Sequence, residues 1–396
     1  MKHFLCTFFF PGVLIAFPLQ GLVAQSALKP GESVHGVRKI KDIMIYQDSL
    51  FYAAFPSVVK RPNREFLLAF RRAPNLQAMG EKNYEHIDPN SYLVTIRSRD
   101  GEVWTKNPDL LYAHPFGGSQ DPCLLQLRDG SLICTSYGWR PVSQEAYDKL
   151  KKPVFYSIPS KAIFLGGYVL RSTDGGHQWK GPYYPMRVPI DPKLDIFGNP
   201  LPAYNRGGLW ETKDGRILWV VAAGNEDNRG SAHLLVSRDK GLSWKYSSVV
   251  AEDEQAEFNE ASVLETPGGD LVAFLRTANY DDQACIARSK NGGKSFSWQG
   301  MGFKGHPLHA LPLPDKRILI TYGYRHKPFG IRTRILNAEC TDFATAPEII
   351  LRDDGGGTDL GYTWSVLLNN NRVLVCYYFN IDAGLRHIAG TIIEIK

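Results

Sequence analysis

A short signature that appears four times limits the folds open to this chain more than any other feature. Ser172-Thr173-Asp174-Gly175-Gly176-His177-Gln178-Trp179 is echoed by Ser237-Arg238-Asp239-Lys240-Gly241-Leu242-Ser243-Trp244, identical at the first, third, fifth and eighth places. A third copy, starting at Ser289, keeps Gly293 but carries Asn291 and Phe296, and a fourth, residues 98–104, is one residue short. Each follows an apolar, β-prone run such as Tyr92-Leu93-Val94-Thr95-Ile96. An aspartate or asparagine at this place accepts bonds from backbone N–H groups ahead of it, glycine takes the left-handed position, and the aromatic packs back against the sheet. Matches at one spacing are not chance turns, so these boxes mark structural corners and carry no catalytic role.

Hairpins with polar turns recur between the boxes, at residues 123–134, 208–219, 262–275, 311–321 and 364–377, with 55–70 as a sixth candidate. Such units, spaced by roughly 50 to 70 residues and each able to supply a four-stranded sheet, describe a propeller. Strong helical periods are absent. The expected architecture is all-β, a six-bladed β-propeller formed by residues 25–396 as a single domain. A ring of repeats also explains how a chain this long stays compact, because it exceeds the usual length of one core.

One hairpin, residues 259–276, carries chemistry at its open end. Glu260 opens one strand, Pro267-Gly268-Gly269 makes the turn, and Arg276 closes the antiparallel neighbour. Both ends lie on one edge of the sheet, so a carboxylate and a guanidinium can face one pocket. Taken alone, the pair reads better as a surface ion pair of little worth.

Boxes of the form Ser-x-Asp-x-Gly-x-x-Trp between such hairpins resemble the bacterial neuraminidase repeats of the sialidase superfamily, from about residue 51 to the C-terminus. The resemblance implies three arginines that grip a substrate carboxylate, a tyrosine nucleophile paired with a glutamate, and an aspartate acid/base. Glu260 and Arg276 match the glutamate and second arginine, Tyr362 opens the last hairpin as the tyrosine does, and Arg325 follows the fifth hairpin as the third arginine. Asp88 lies ten residues before the first box, in the loop that holds the acid; His86 is an alternative proton carrier and Asp121 the second choice of acid. The first arginine is missing, because Ala54-Phe55-Pro56 stands where the family has Arg-Ile-Pro; Arg71, Arg72 or Arg206 are the candidates to replace it. The implied activity is an exo-glycosidase removing a terminal acidic sugar, sialic acid first. A non-catalytic carbohydrate-binding propeller, or a hydrolase or lyase on uronate- or rhamnose-containing glycans, is the alternative.

Other classes fit less well. The net charge of +6 is spread without runs, so no nucleic-acid surface is indicated. Residues 1–24 read as a secretory signal peptide, with Lys2 before an apolar segment and small residues near Ala24; Pro11 and Pro18 make a retained membrane anchor the poorer reading. A secreted or periplasmic monomer without stable membrane insertion is expected. The cysteines are too widely spaced for a disulfide framework, although Cys123 and Cys134 could face each other across a hairpin. No phosphate-binding glycine loop, His-x-x-x-His or Cys-x-x-Cys pattern is present, so neither cofactor nor metal is expected.

Overall fold

The computed structural model describes residues 26–81, 86–151, 154, 156–157, 161–224, 229–382 and 384–396, and the expected signal peptide lies outside them. The described residues form six antiparallel sheets arranged as the blades of a propeller. Counting blades from the first hairpin, their inner strands are Phe51–Lys60, Cys123–Gln126, Trp210–Glu211, Phe258–Glu265, His306–Pro312 and Gly361–Leu367. Neighbouring inner regions pack round the ring, and the strand Phe51–Lys60 meets both Cys123–Gln126 and Gly361–Leu367. The last blade is closed by the chain's own beginning, because Val37–Tyr46 pairs along His387–Ile395. A single five-residue helix, Gln144–Asp148, is the only α-helix among the described residues.

All the hairpins read from the sequence are present as first and second strands of blades. The boxes sit at the ends of third strands, and share one bonding scheme. Each serine hydroxyl donates to the side-chain oxygen two residues on: Ser98 to Asp100 (3.0 Å), and Ser172 to Asp174, Ser237 to Asp239 and Ser289 to Asn291 (2.8 Å each). Those oxygens in turn accept backbone N–H bonds from Val103, Gln178, Ser243 and Ser295. The box residue Trp244 packs edge-on against the buried Trp219 at 5.3 Å. Truncating a buried tryptophan of this kind costs about 3–5 kcal/mol.

Strand direction then separates two faces. First strands begin, and second strands end, on the face opposite the boxes. On that face four inner strands break register, at Ala54/Ser57, Phe258/Ala261, His306/Leu308 and Gly361/Trp364. Bulges turn side chains out of the regular alternation, and three of these bulges contain Phe55, Glu260 and Tyr362. Phe55 and Tyr362 pass through left-handed backbone, at φ 59° and 52°. Non-glycine residues rarely adopt that conformation unless the surroundings enforce it.

Cys123 and Cys134 do not bridge. Cys123 lies opposite Thr135 and Cys134 opposite Leu124, so the two side chains point to different faces of the hairpin. All five described cysteines are free and buried.

Candidate active site

The bulged ends of blades four and six bring Glu260 and Tyr362 into contact. Tyr362 donates its hydroxyl to Oε1 of Glu260 at 2.5 Å. Arg276, at the end of its hairpin's second strand, donates Nη1 to Oε2 of the same carboxylate at 2.5 Å and to the Tyr362 hydroxyl at 3.2 Å. Burial opposes charge on Glu260, but Arg276, the Tyr362 hydrogen bond and Arg325 together outweigh it and hold the carboxyl below its ordinary range. Burial, and then the Glu260 charge, push the Tyr362 hydroxyl well above the usual phenol value. The pair therefore holds one proton, on tyrosine, beside a carboxylate ready to accept it.

Arg325 is packed over the Tyr362 ring at 5.3 Å and donates to the Leu360 carbonyl and the Tyr378 hydroxyl. Arg71 is fully buried and none of its guanidinium nitrogens has a hydrogen-bond partner. Its guanidinium faces the Tyr52 and Phe55 rings at 5.4 and 5.9 Å, and the charges of Tyr52, Asp88, Asp121 and Asp359 act on it. A buried guanidinium whose donors make no hydrogen bond suits an anionic ligand.

Asp121 is buried in left-handed backbone at φ 24°. One of its oxygens accepts from Tyr137 at 2.7 Å; the other is sealed without a partner. Burial raises its carboxyl to about 6. Asp88 is also buried, and its Oδ1 accepts the Asn90 N–H at 2.7 Å. Its loop lies so close to Gly118 that a Cβ there would stand 1.9 Å from the Asp88 carbonyl. His86 keeps a solvent-exposed surface yet sits in a recess of protein atoms, 4.9 Å from Phe55. Desolvation in that recess, working against the Asp359 charge, lowers its imidazole to about 4.

Two arginines do not join this group as free donors. Arg72, next to Arg71 on its strand, points to the other face, pairs with Asp48 at 2.8 Å and lies 3.4 Å over the Phe51 ring. Arg206 is buried with both terminal nitrogens committed: Nη1 to the Phe55 and Pro122 carbonyls, Nη2 to those of Pro56 and Tyr362. It fastens blades one, two, three and six at the axis, so geometry leaves it no hand for a ligand. Phe55 occupies the place expected of the first arginine and packs against Tyr362 and Tyr378 at 4.8 and 5.1 Å.

Sequence reasoning missed Asp359 and Tyr378. Asp359 accepts from Tyr52, Tyr378 and Arg386 and anchors the loop before Tyr362. A signal was present: Arg276 and Tyr378 lie at the ends of second strands, Arg325 just beyond one, and Arg71 and Tyr137 in the second half of theirs.

The family model described as a BNR repeat-like domain matches residues 155–322. A structure of a protein of unknown function from Dyadobacter fermentans is 62% identical, with a TM-score of 0.89, over 92% of this chain and all of the other. A Hadza microbial sialidase shares the fold at 14% identity and a TM-score of 0.62, over 86% of this chain. Trypanosoma rangeli sialidase does so at 12% identity and 0.58, over 90% of this chain. A BNR repeat-like domain is thus matched over residues 155–322, and the chain shares the propeller fold of these sialidases. It spans only 65% and 58% of the lengths of those two sialidases, and at such identities the likeness concerns the fold. No curated protein matches the sequence significantly.

Proposed function

We propose that the protein is an exo-glycoside hydrolase that removes a terminal acidic sugar, sialic acid first, with Tyr362 as nucleophile. The observation that carries this reading is the 2.5 Å hydrogen bond from Tyr362 to Glu260, with Arg276 on both. In the first step the Tyr362 oxygen attacks the anomeric carbon as its proton passes to Glu260, and Asp88 protonates the departing glycosidic oxygen. In the second, Asp88 takes a proton from water, which attacks the same carbon; the tyrosyl bond breaks and Glu260 returns the proton. A neutral nucleophile suits an anionic sugar, because a carboxylate would repel the substrate's own charge. Asp121 is a poorer acid than Asp88, since one oxygen is held by Tyr137 and the other is sealed. Arg276, Arg325 and Arg71 would meet the sugar carboxylate, as charge-assisted donors.

Phe55 favours a second reading of the substrate. With an aromatic ring where an arginine would complete the clamp, a uronic acid is the alternative acidic sugar. The apolar leader supports export to the periplasm or medium, and burial of the free thiols suits an oxidising compartment. No helix among the described residues is long and apolar enough to cross a membrane.

The test is release of a fluorescent aglycone from an α-sialoside, by the parent and by Tyr362→Phe. Turnover lost in the variant supports the full reading. No turnover by the parent removes sialic acid and moves the screen to uronides; binding without turnover of any acidic glycoside would leave only a carbohydrate-binding role.

A further inference from the structure

Near Arg276 and Arg325, three side chains far apart in sequence converge without forming an ordinary bonded network. Asp282 lies in the loop between the second and third strands of blade four, His306 opens the inner strand of blade five, and His326 lies in the loop after that blade's second strand. Their ligating atoms all fall within 4.8 Å of one another. Oδ2 of Asp282 is 3.1 Å from Nε2 of His326 and 3.8 Å from Nε2 of His306.

His306 makes the cluster more than a rim ion pair. Its side chain is only 6% exposed, and neither ring nitrogen has a hydrogen-bond partner. A buried imidazole without partners is rare, because such a group gives up its bonds to water and receives nothing in exchange. Its Nε2 stands 3.8 Å from the Asp282 carboxylate, too far away to bond it.

We propose that His306, His326 and Asp282 form a binding site for one divalent transition-metal ion, Zn2+ as the type. Two imidazoles and one carboxylate are a donor set that such ions accept, and the set leaves further positions for water or a substrate oxygen. Metal–ligand distances of about 2.0–2.2 Å require the donors to draw in slightly. His306 is held by its strand, whereas the side chains of His326 and Asp282 are 35% and 33% exposed and have room to turn. Arg276 and Arg325 both act on His306; Glu260 neutralises Arg276, and the Asp282 carboxylate brings a negative charge to offset Arg325.

The ion would join blade four to blade five and fix the loop that carries His326, whose neighbour is Arg325. It would add to the Leu360 and Tyr378 bonds that already hold Arg325 over the Tyr362 ring. The spacing 282, 306 and 326 matches no sequence motif, which is why no metal was expected from the sequence.

The experiment is titration of tag-free, chelator-treated protein with Zn2+ alone by calorimetry, and with Co2+ alone by visible absorption. Expected are one Zn2+ per chain, a Co2+ absorption band, and a loss of affinity of at least tenfold in both Asp282→Asn and His326→Ala. Both are rim substitutions chosen to leave the fold intact, which circular dichroism would verify. Equal affinity in the parent and both variants, no binding at millimolar Zn2+, or equally tight binding of Mg2+ would each overturn the assignment.

Discussion

Tyr362 and Glu260 stand 102 residues apart in the chain, yet the tyrosine hydroxyl donates to the carboxylate at 2.5 Å. Tyr362→Phe keeps the ring against Phe55 and removes only the oxygen. Its unfolding midpoint should stay within a few degrees of the parent, while kcat on an activated acidic glycoside falls by about 10³ or more. Glu260→Gln should lose roughly 10²–10⁴ in the same assay. A Tyr362→Phe protein with near-parental turnover would eliminate tyrosine as the nucleophile.

Asp88→Asn should reveal an acid by its dependence on the leaving group. For a poor leaving group, kcat should drop by about 10²–10⁴. With a good phenolic leaving group, which needs little protonation, the deficit in the glycosylation step should shrink. An equal deficit for both aglycones would mean that Asp88 shapes the pocket and does not protonate the leaving oxygen.

Arg71 and Arg206 are both buried, but opposite outcomes are expected of them. Arg206→Met leaves carbonyls of Phe55, Pro56, Pro122 and Tyr362 without a donor, so denaturant unfolding should report a loss of about 3 kcal/mol or more. Arg71→Met removes a cation that has no hydrogen-bond partner. Ligand-free stability should hold or rise, while affinity for an acidic sugar falls at least about tenfold. A marked drop in midpoint for Arg71→Met would show that its charge stabilises the free fold.

Burial raises the Asp121 carboxyl to about 6, against about 3.9 in an unfolded chain. The folded protein thus keeps this proton to higher pH than the unfolded one. Its contribution to stability is full below about pH 4 and is lost as pH rises through 6. Asp121→Asn cannot ionise, so it should gain on the parent by up to about 3 kcal/mol between pH 4 and 7. Parallel stability curves for the two proteins over that range would contradict the raised value.

The architecture was legible because a box and a hairpin are local: Ser172, Asp174 and Trp179 make their own corner, and periodic spacing does the rest. The meeting of Glu260 and Arg276 was legible for a related reason, since the two ends of one hairpin share an edge, whereas Tyr362 and Arg325 were pointed to only by the family resemblance. Arg206 was not legible. Its partners lie 84 to 156 positions away, and only ring closure decides that its guanidinium meets carbonyls instead of a ligand. Arg71 and Arg72 were indistinguishable in sequence, whereas alternation along one strand sends the first toward the pocket and the second toward Asp48. His306, Asp282 and His326 likewise show no spacing rule, because they meet across two blades.

The pairing of Val37–Tyr46 with His387–Ile395 also imposes an order on assembly. Val37–Tyr46 is synthesised before blades one to five and its partner His387–Ile395 after them, so blade six cannot close until the other five have been made. Until then the two terminal edges stay open to pairing with other chains. Joining the present ends and cutting instead at an exposed box turn would make blade six continuous, and would let a nascent chain finish that sheet early.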